Sequence, residues 1–339
     1  MQKKNKKIII SDATLRDGNH AIRHQINKKQ LETYCKAAEK AGIDIVEVGH
    51  GNGVGASSIQ VGLSNLSDLK MLETSRKFLK KTKLGVHIIP GFATIQDIKI
   101  AINVGVDVFR VASHCTEADI TQKHIDYIRG NNRKAFGVLM MSHMASKETL
   151  LKEAKKMEEY GAQGVILMDS AGAYVQENVS ERISFIKRKL KNLPIGFHAH
   201  NNLGLAIANS IEAVKAGASM IDGCARGFGA GAGNAQLEVL IAVFMKLGIK
   251  TNIDLYKVLD CGDIAEKYLM DVIPSISSIS VVSGLSGVFS GFIKHVAKQS
   301  KRHKVNPRDV FFALGKRKAV AGQEDLILDV IKNMKKNKN

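Results

Sequence analysis

The chain has 339 residues, 45% hydrophobic and 24% charged, which is ordinary for a globular protein and too apolar for disorder. With four prolines, no tryptophan and no apolar run of bilayer length, collagen-like, proline-rich and membrane-spanning classes are excluded. The net charge of +18 gathers in part at the two Lys-rich ends, without the interleaved aromatics of single-strand binders, so nucleic acid is not an expected partner.

Along the chain, short β-rich runs alternate with amphipathic stretches. The candidate strands are Lys7–Ser11, Ile45–Gly49, Leu84–Ile89, Val108–Ala112, Ala135–Met140, Gly164–Met168, Ile195–His200 and Ser219–Gly223. Helical periodicity falls between them at Lys28–Ala41, Ile95–Val104, Lys147–Tyr160, Val179–Leu190 and Leu205–Ala216. Asp119 or Thr121 can open a further helix toward Arg129. Glycine follows three of the helices, at Gly42, Gly161 and Gly217, as a C-terminal cap requires. Eight strand–helix units predict a closed α/β (TIM-type, (β/α)₈) barrel over residues 1–250. An open doubly wound sheet would carry a glycine fingerprint after its first strand, where this chain instead has Asp12-Ala13-Thr14-Leu15-Arg16-Asp17-Gly18. Beyond Gly248 the rhythm becomes helical, at Asp254–Met270, Val288–Gln299, Pro307–Leu314 and Glu324–Met334. This predicts a helical C-terminal domain over 251–330 and a Lys/Asn-rich, disordered tail over 331–339. The short apolar start Ile8-Ile9-Ile10 is no signal peptide, so a cytoplasmic location is expected. Cys35, Cys115, Cys224 and Cys261 are widely spaced and read as reduced thiols rather than a zinc or disulfide framework.

In a barrel of this kind the active site lies at the C-terminal ends of the strands. The seventh candidate strand ends in His198-Ala199-His200, two imidazoles on one side of a strand. A hydrogen-bonded pair of core histidines is the alternative. At the end of the first strand, Asp17 offers a hard oxygen donor. An Asp/His/His set leaves open positions and suits Mn²⁺, Mg²⁺ or Co²⁺ rather than a closed structural zinc site. Arg16 can stabilise an oxyanion or simply pair with Asp17. His20 and His24 lack the intervening Glu of a metalloprotease helix, so His20 reads as a base beside the metal or as a surface-loop histidine. Ser170 can hydrogen-bond a carboxylate, and Asp169 can cap the following turn. The glycine run Gly227–Gly233 follows the eighth strand, at the wrong end of the fold for a dinucleotide site, and reads as tight packing at the mouth.

At these residues the sequence resembles the 4-hydroxy-2-oxovalerate aldolases, within the metal-dependent superfamily that includes HMG-CoA lyase and isopropylmalate synthase. Asp12–Gly18 and His198–Asn201 carry the superfamily signature. The narrower resemblance rests on Asn19–Gln25, Gly49–Ser58, Arg110–Asp119, Gly137–Ala145, Asp169–Ala173, Gly229–Val239 and Gly322–Ile327. It implies a lyase of aromatic-hydrocarbon breakdown that splits 4-hydroxy-2-oxopentanoate into pyruvate and acetaldehyde through a pyruvate enolate. Asp17, His198 and His200 would hold Mn²⁺, Arg16 would stabilise the enolate, His20 would take the 4-hydroxyl proton and Ser170 would orient the carboxylate. Arg16, Asp17 and His198 would also touch the substrate. The resemblance further implies an oligomer partnered with an acylating acetaldehyde dehydrogenase, to which the aldehyde passes through an internal channel. Two positions depart from the family pattern. Phe289 stands where the family has an active-site Tyr, and His87 replaces an aliphatic residue near the aldehyde. These departures leave two other readings open: a biosynthetic condensing enzyme with another aldehyde or acyl acceptor, and a weakened barrel retained as a binding partner.

Overall fold

A computed structural model describes residues 7–320 and 322–336. Eight parallel strands close on themselves in chain order, β1 pairing with both β2 and β8. They are β1 (Ile9–Leu15), β2 (Ile45–Val48), β3 (Lys83–Ile88), β4 (Val108–His114), β5 (Lys134–Met140), β6 (Val165–Asp169), β7 (Ile195–Ala199) and β8 (Met220–Gly223). The helices that follow them are α1 (Lys28–Ala41), α2 (Asp68–Phe78), α3 (Ile95–Val104), α4 (Gln122–Gly130), α5 (Lys147–Glu159), α6 (Gln176–Lys189), α7 (Ala206–Lys215) and α8 (Leu237–Lys246). The expected barrel is therefore present.

Local chemistry explains where the helices begin and end. Asn27 opens α1 with a reciprocal capping box, its side chain accepting from the Gln30 backbone while Gln30 accepts from the Asn27 N–H at 2.8 Å. Gly42 closes the helix at φ 74°, a left-handed conformation that costs a side-chain-bearing residue. Thr94 with Asp97 opens α3 in the same way, and Ser146 opens α5. β1 runs four residues further than its apolar pattern suggests. Its polar Asp12 and Thr14 are buried against α1, where the Tyr34 hydroxyl donates to Asp12 at 2.7 Å. Burial pushes the Asp12 carboxyl up to about 6, although its bonds to Thr14 and Tyr34 pull the other way.

Strand alternation divides the core into two layers. Phe109 and Val111 of β4 face outward into the large core between strands and helices, whereas Val108 and Ala112 join Ile45, Phe136, Ile166 and Met220 inside the barrel. The interior is apolar at its base. Nearer the mouth it carries Ser11, Glu47, His87, Arg110, His198 and Asp222, all buried.

After the barrel come α9 (Leu255–Leu269), α10 (Ser278–Ser286), α11 (Phe292–His303), α12 (Pro307–Lys316) and α13 (Leu326–Lys336). α9 packs against α1, with the Gln30 amide donating to the Tyr268 carbonyl at 2.6 Å. The last four helices enclose a separate core around Phe292, Val296, Phe311, Leu314 and Val330. The apolar pattern places a helix over 288–299, but the structure ends α10 at Ser286, turns at Gly287 and begins α11 at Phe292. α13 continues as helix to Lys336 within the stretch read as a tail, and residues 337–339 lie outside the described residues. Among the described residues no helix is long and apolar enough to cross a membrane.

Candidate active site

The strand ends bring distant residues to one point at the barrel mouth. The β1–β2 register shifts between Asp12 and Leu15, and a single 3₁₀ turn, Asp17–His20, follows the strand. This turn presents Arg16 and Asp17 opposite β7. One ligand atom each from Asp17, His198 and His200 lies within 4.8 Å of the others, and all three side chains are buried.

Each donor is held from behind. The Nδ1 of His198 bonds Asp222 at 2.9 Å, and the Nδ1 of His200 bonds the Asp169 carbonyl at 3.0 Å. Because both acceptors require an N–H, the Nε2 atoms keep their lone pairs for the mouth. The His198 Nε2 is buried and has no protein partner. The Asp17 carboxylate accepts from Arg16 Nη1 at 2.9 Å and from Asn234 Nδ2 at 2.6 Å. Burial alone would raise its pKa, but Arg16 and the imidazoles of His200, His20 and His198 hold it far below the usual carboxylate range. Burial also pulls His200 down to about 4, keeping it neutral at physiological pH. An orphaned buried imidazole nitrogen, a second oriented imidazole and an ionised carboxylate form a donor set that fits a divalent cation.

Arg16 does more than pair with Asp17. Its Nε donates to Glu47 at 2.8 Å, while its Nη2 is buried without a partner, leaving a free donor. Burial opposes its charge, but Glu47 and Asp17 outweigh that and keep the guanidinium protonated. His20 is half-buried, its ring covering Gly51, where an added Cβ would meet ring atoms at 2.5 Å. The ring stands edge-on to His24 at 5.2 Å, and His24 stacks on His50 at 3.5 Å. Burial lowers His20 to about 4 against the raising effect of Asp17, so its imidazole is free to accept a proton at neutral pH. The Ser170 hydroxyl accepts from the Met141 N–H at 3.0 Å and keeps its own proton to donate. Asp169 caps the next turn through the Ala173 and Tyr174 N–H groups.

Two expected positions sit apart from this group. His87 lies on the inner wall, its Nδ1 3.8 Å from Glu47 and without a hydrogen bond, and burial lowers it to about 4. Phe289 lies in the loop before α11, edge-on to Phe292 at 6.2 Å and packed on the C-terminal core. The next residue, Ser290, reaches the mouth. Its N–H and hydroxyl both donate to the Ser170 carbonyl, at 3.3 and 3.1 Å, and its Oγ accepts from Asn202 at 2.8 Å. Sequence reasoning singled out none of Glu47, Arg110, Asp222, Asn234, Asn202 and Ser290. The available signal was a lone charge inside an apolar strand, as in Ile45-Val46-Glu47-Val48, where alternation turns Glu47 inward.

Barrel, mouth and donor set define a class. A family model described as HMGL-like matches residues 7–264, and the chain belongs to that family. A model described as a DmpG-like communication domain matches residues 274–336. At finer resolution, the chain is 59% identical to a 4-hydroxy-2-oxovalerate aldolase of Spirochaeta aurantia, covering 98% of this chain and 97% of that one. It is 58% identical to a protein of the same name from Pectobacterium atrosepticum, covering 98% of each. Among solved structures, the N-terminal domain of a putative aldolase from Bacteroides vulgatus matches with TM-score 0.74 at 23% identity, over 87% of this chain and 98% of that one. A Rhizobium etli pyruvate carboxylase matches at 0.83 and 15%, over 99% of this chain and 32% of that one. These two likenesses speak to the fold alone.

Proposed function

We infer that this chain is a carbon–carbon lyase that cleaves 4-hydroxy-2-oxopentanoate to pyruvate and acetaldehyde with a divalent cation, Mn²⁺ foremost and Mg²⁺ or Co²⁺ as replacements. The observation that carries the reading is the Asp17/His198/His200 set beside the free Nη2 of Arg16, in a chain related along its length to named aldolases. Those relatives favour cleavage over the condensing enzyme and the non-catalytic barrel.

Asp17, His198 and His200 would hold the cation, which when bound supplies Lewis-acid polarisation of the 2-oxo group. Arg16 donates toward the 2-oxo oxygen, where negative charge gathers as the C3–C4 bond breaks. His20 takes the 4-hydroxyl proton, so that the C4–O electrons form the aldehyde carbonyl and the C3–C4 pair passes into the pyruvate enolate. A proton returned to C3 then completes pyruvate. The Ser170 hydroxyl holds the carboxylate. Phe289 has no hydroxyl to add to this set, and His87 bears on the aldehyde end. The communication-domain match supports association with an aldehyde dehydrogenase, and an acylating acetaldehyde dehydrogenase is the partner we propose.

The test is pyruvate release from 4-hydroxy-2-oxopentanoate by chelator-treated protein before and after each ion is restored. Release should fall by about 100-fold or more on chelation and return most fully with Mn²⁺. Release indifferent to chelation overturns the reading.

A further inference from the structure

We propose that Arg110 is a positioning residue that ties the metal-facing imidazole of His198 to the oxyanion-facing guanidinium of Arg16. Arg110 is the largest fully buried side chain, set on β4 in the middle of the barrel interior. A guanidinium there survives only if carboxylates meet it. Two do. One Nη2 bond goes to Asp222, and Nη1 lies 3.4 Å from Glu47. Ser11 adds a long contact at 3.5 Å.

Neither carboxylate is occupied with Arg110 alone. The Asp222 oxygen that receives Arg110 is also the acceptor for His198 Nδ1, and it thereby aims the orphaned Nε2 at the mouth. Glu47 receives Arg16 Nε through its other oxygen. The chain of contacts runs His198–Asp222–Arg110–Glu47–Arg16, from a metal donor on β7 to the oxyanion donor at the end of β1. It crosses the barrel through side chains that meet no solvent. Among Asp17, Glu47, Asp222, Arg16 and Arg110, three carboxylates face two guanidiniums. One net negative charge remains where a divalent cation is to sit. Without Arg110, Glu47 and Asp222 would repel each other across the interior; Glu47 would lose the cation beside its second oxygen, and the Asp222 oxygen that holds His198 would lose its charged partner.

This inference rests on the metal-dependent aldolase reading, and its test separates the two. Wild type, Arg110→Met and Arg110→Lys are compared by equilibrium dialysis with Mn²⁺, by circular dichroism and by kcat and KM for pyruvate release. Arg110→Met should weaken Mn²⁺ binding by about 10- to 100-fold and lower kcat more than it raises KM. Arg110→Lys, which keeps the charge but not the planar fork, should recover part of the loss. Combined with Asp222→Asn, the Arg110→Lys effect on Mn²⁺ affinity should be less than additive, because both act through one contact. A residue that only stabilises the fold would lower the melting temperature and leave Mn²⁺ affinity alone. A folded Arg110→Met that binds Mn²⁺ within about twofold of wild type overturns the proposal. If that variant does not fold, an unchanged Mn²⁺ affinity in Arg110→Lys overturns it equally. If wild type itself takes up no Mn²⁺, the metal-aldolase reading fails and this inference falls with it.

Discussion

Gly229 shows how tightly the donor set is built. A Cβ at this position would lie 2.4 Å from the Asp17 Oδ2 and 2.1 Å from the Asn234 Nδ2. Those two atoms form the 2.6 Å bond that fixes the carboxylate, and the Ala230 N–H approaches the same oxygen at 3.4 Å. No flexible chain end is available to yield, since Asp17 is also held by Arg16. Gly229→Ala should therefore displace the carboxylate and weaken Mn²⁺ binding by about tenfold, as loss of a supporting contact around a metal typically does. Equilibrium dialysis reads the affinity, and thermal melting should show one cooperative transition retained. Unchanged affinity in the folded variant would mean that the Asn234 contact does not govern where Asp17 sits. The glycine run was legible as tight packing at the mouth, but its target was not. Only the closed barrel brings the residues after β8 over the end of β1.

At the scale of elements, periodicity and caps carried most of the fold. Lys28–Ala41 and Ile95–Val104 are helices over the spans their patterns suggest, because each has both an apolar stripe and a terminal cap that binds backbone. α10 escaped the pattern because five of its nine residues are Ser or Gly, which gives it little apolar contrast. The displaced start of α11 has the same origin, since the apolar Val288-Phe289 pair belongs to the turn rather than to the helix. Function was missed at this place as well, for Ser290 in that turn docks on the barrel mouth. Its hydroxyl donates to the Ser170 carbonyl and accepts from Asn202, all buried. Ser290→Ala leaves one N–H of the buried Asn202 amide without its acceptor, its bond to the Ala171 carbonyl remaining, at a cost of about 1–3 kcal/mol. The same change removes one of the two bonds to the carbonyl of Ser170, the residue proposed to hold the substrate carboxylate. We expect KM for 4-hydroxy-2-oxopentanoate to rise several-fold while Mn²⁺ affinity holds. A variant with unaltered KM would detach this loop from substrate binding.

Across the whole molecule, burial of imidazoles around the mouth couples stability to acidity. Burial lowers His24 to about 2, helped by the neighbouring His20 and His50 rings, and lowers His87 to about 4. In the unfolded chain both return to an ordinary value near 6.5. These groups are depressed bases, so the unfolded state binds their protons first. Above 6.5 neither state holds the proton and stability does not depend on pH through them. Below 6.5 unfolding takes up protons and stability falls as the solution is acidified. The loss continues down to each folded value. From pH 7 to pH 5 each imidazole should remove about 2 kcal/mol, roughly 1.4 kcal/mol per pH unit once well below 6.5. Buried carboxylates such as Glu47, which Arg110 and Arg16 hold well below the usual range against the effect of burial, add their own loss only at lower pH. His24→Asn isolates one contribution, because Asn tolerates the left-handed backbone at φ 64° and keeps an acceptor for the Gly51 N–H. Urea unfolding of both proteins at pH 7 and pH 5 should show the variant losing about 2 kcal/mol less than wild type over that interval. Parallel losses in the two proteins would mean that His24 takes up its proton without leaving the folded state.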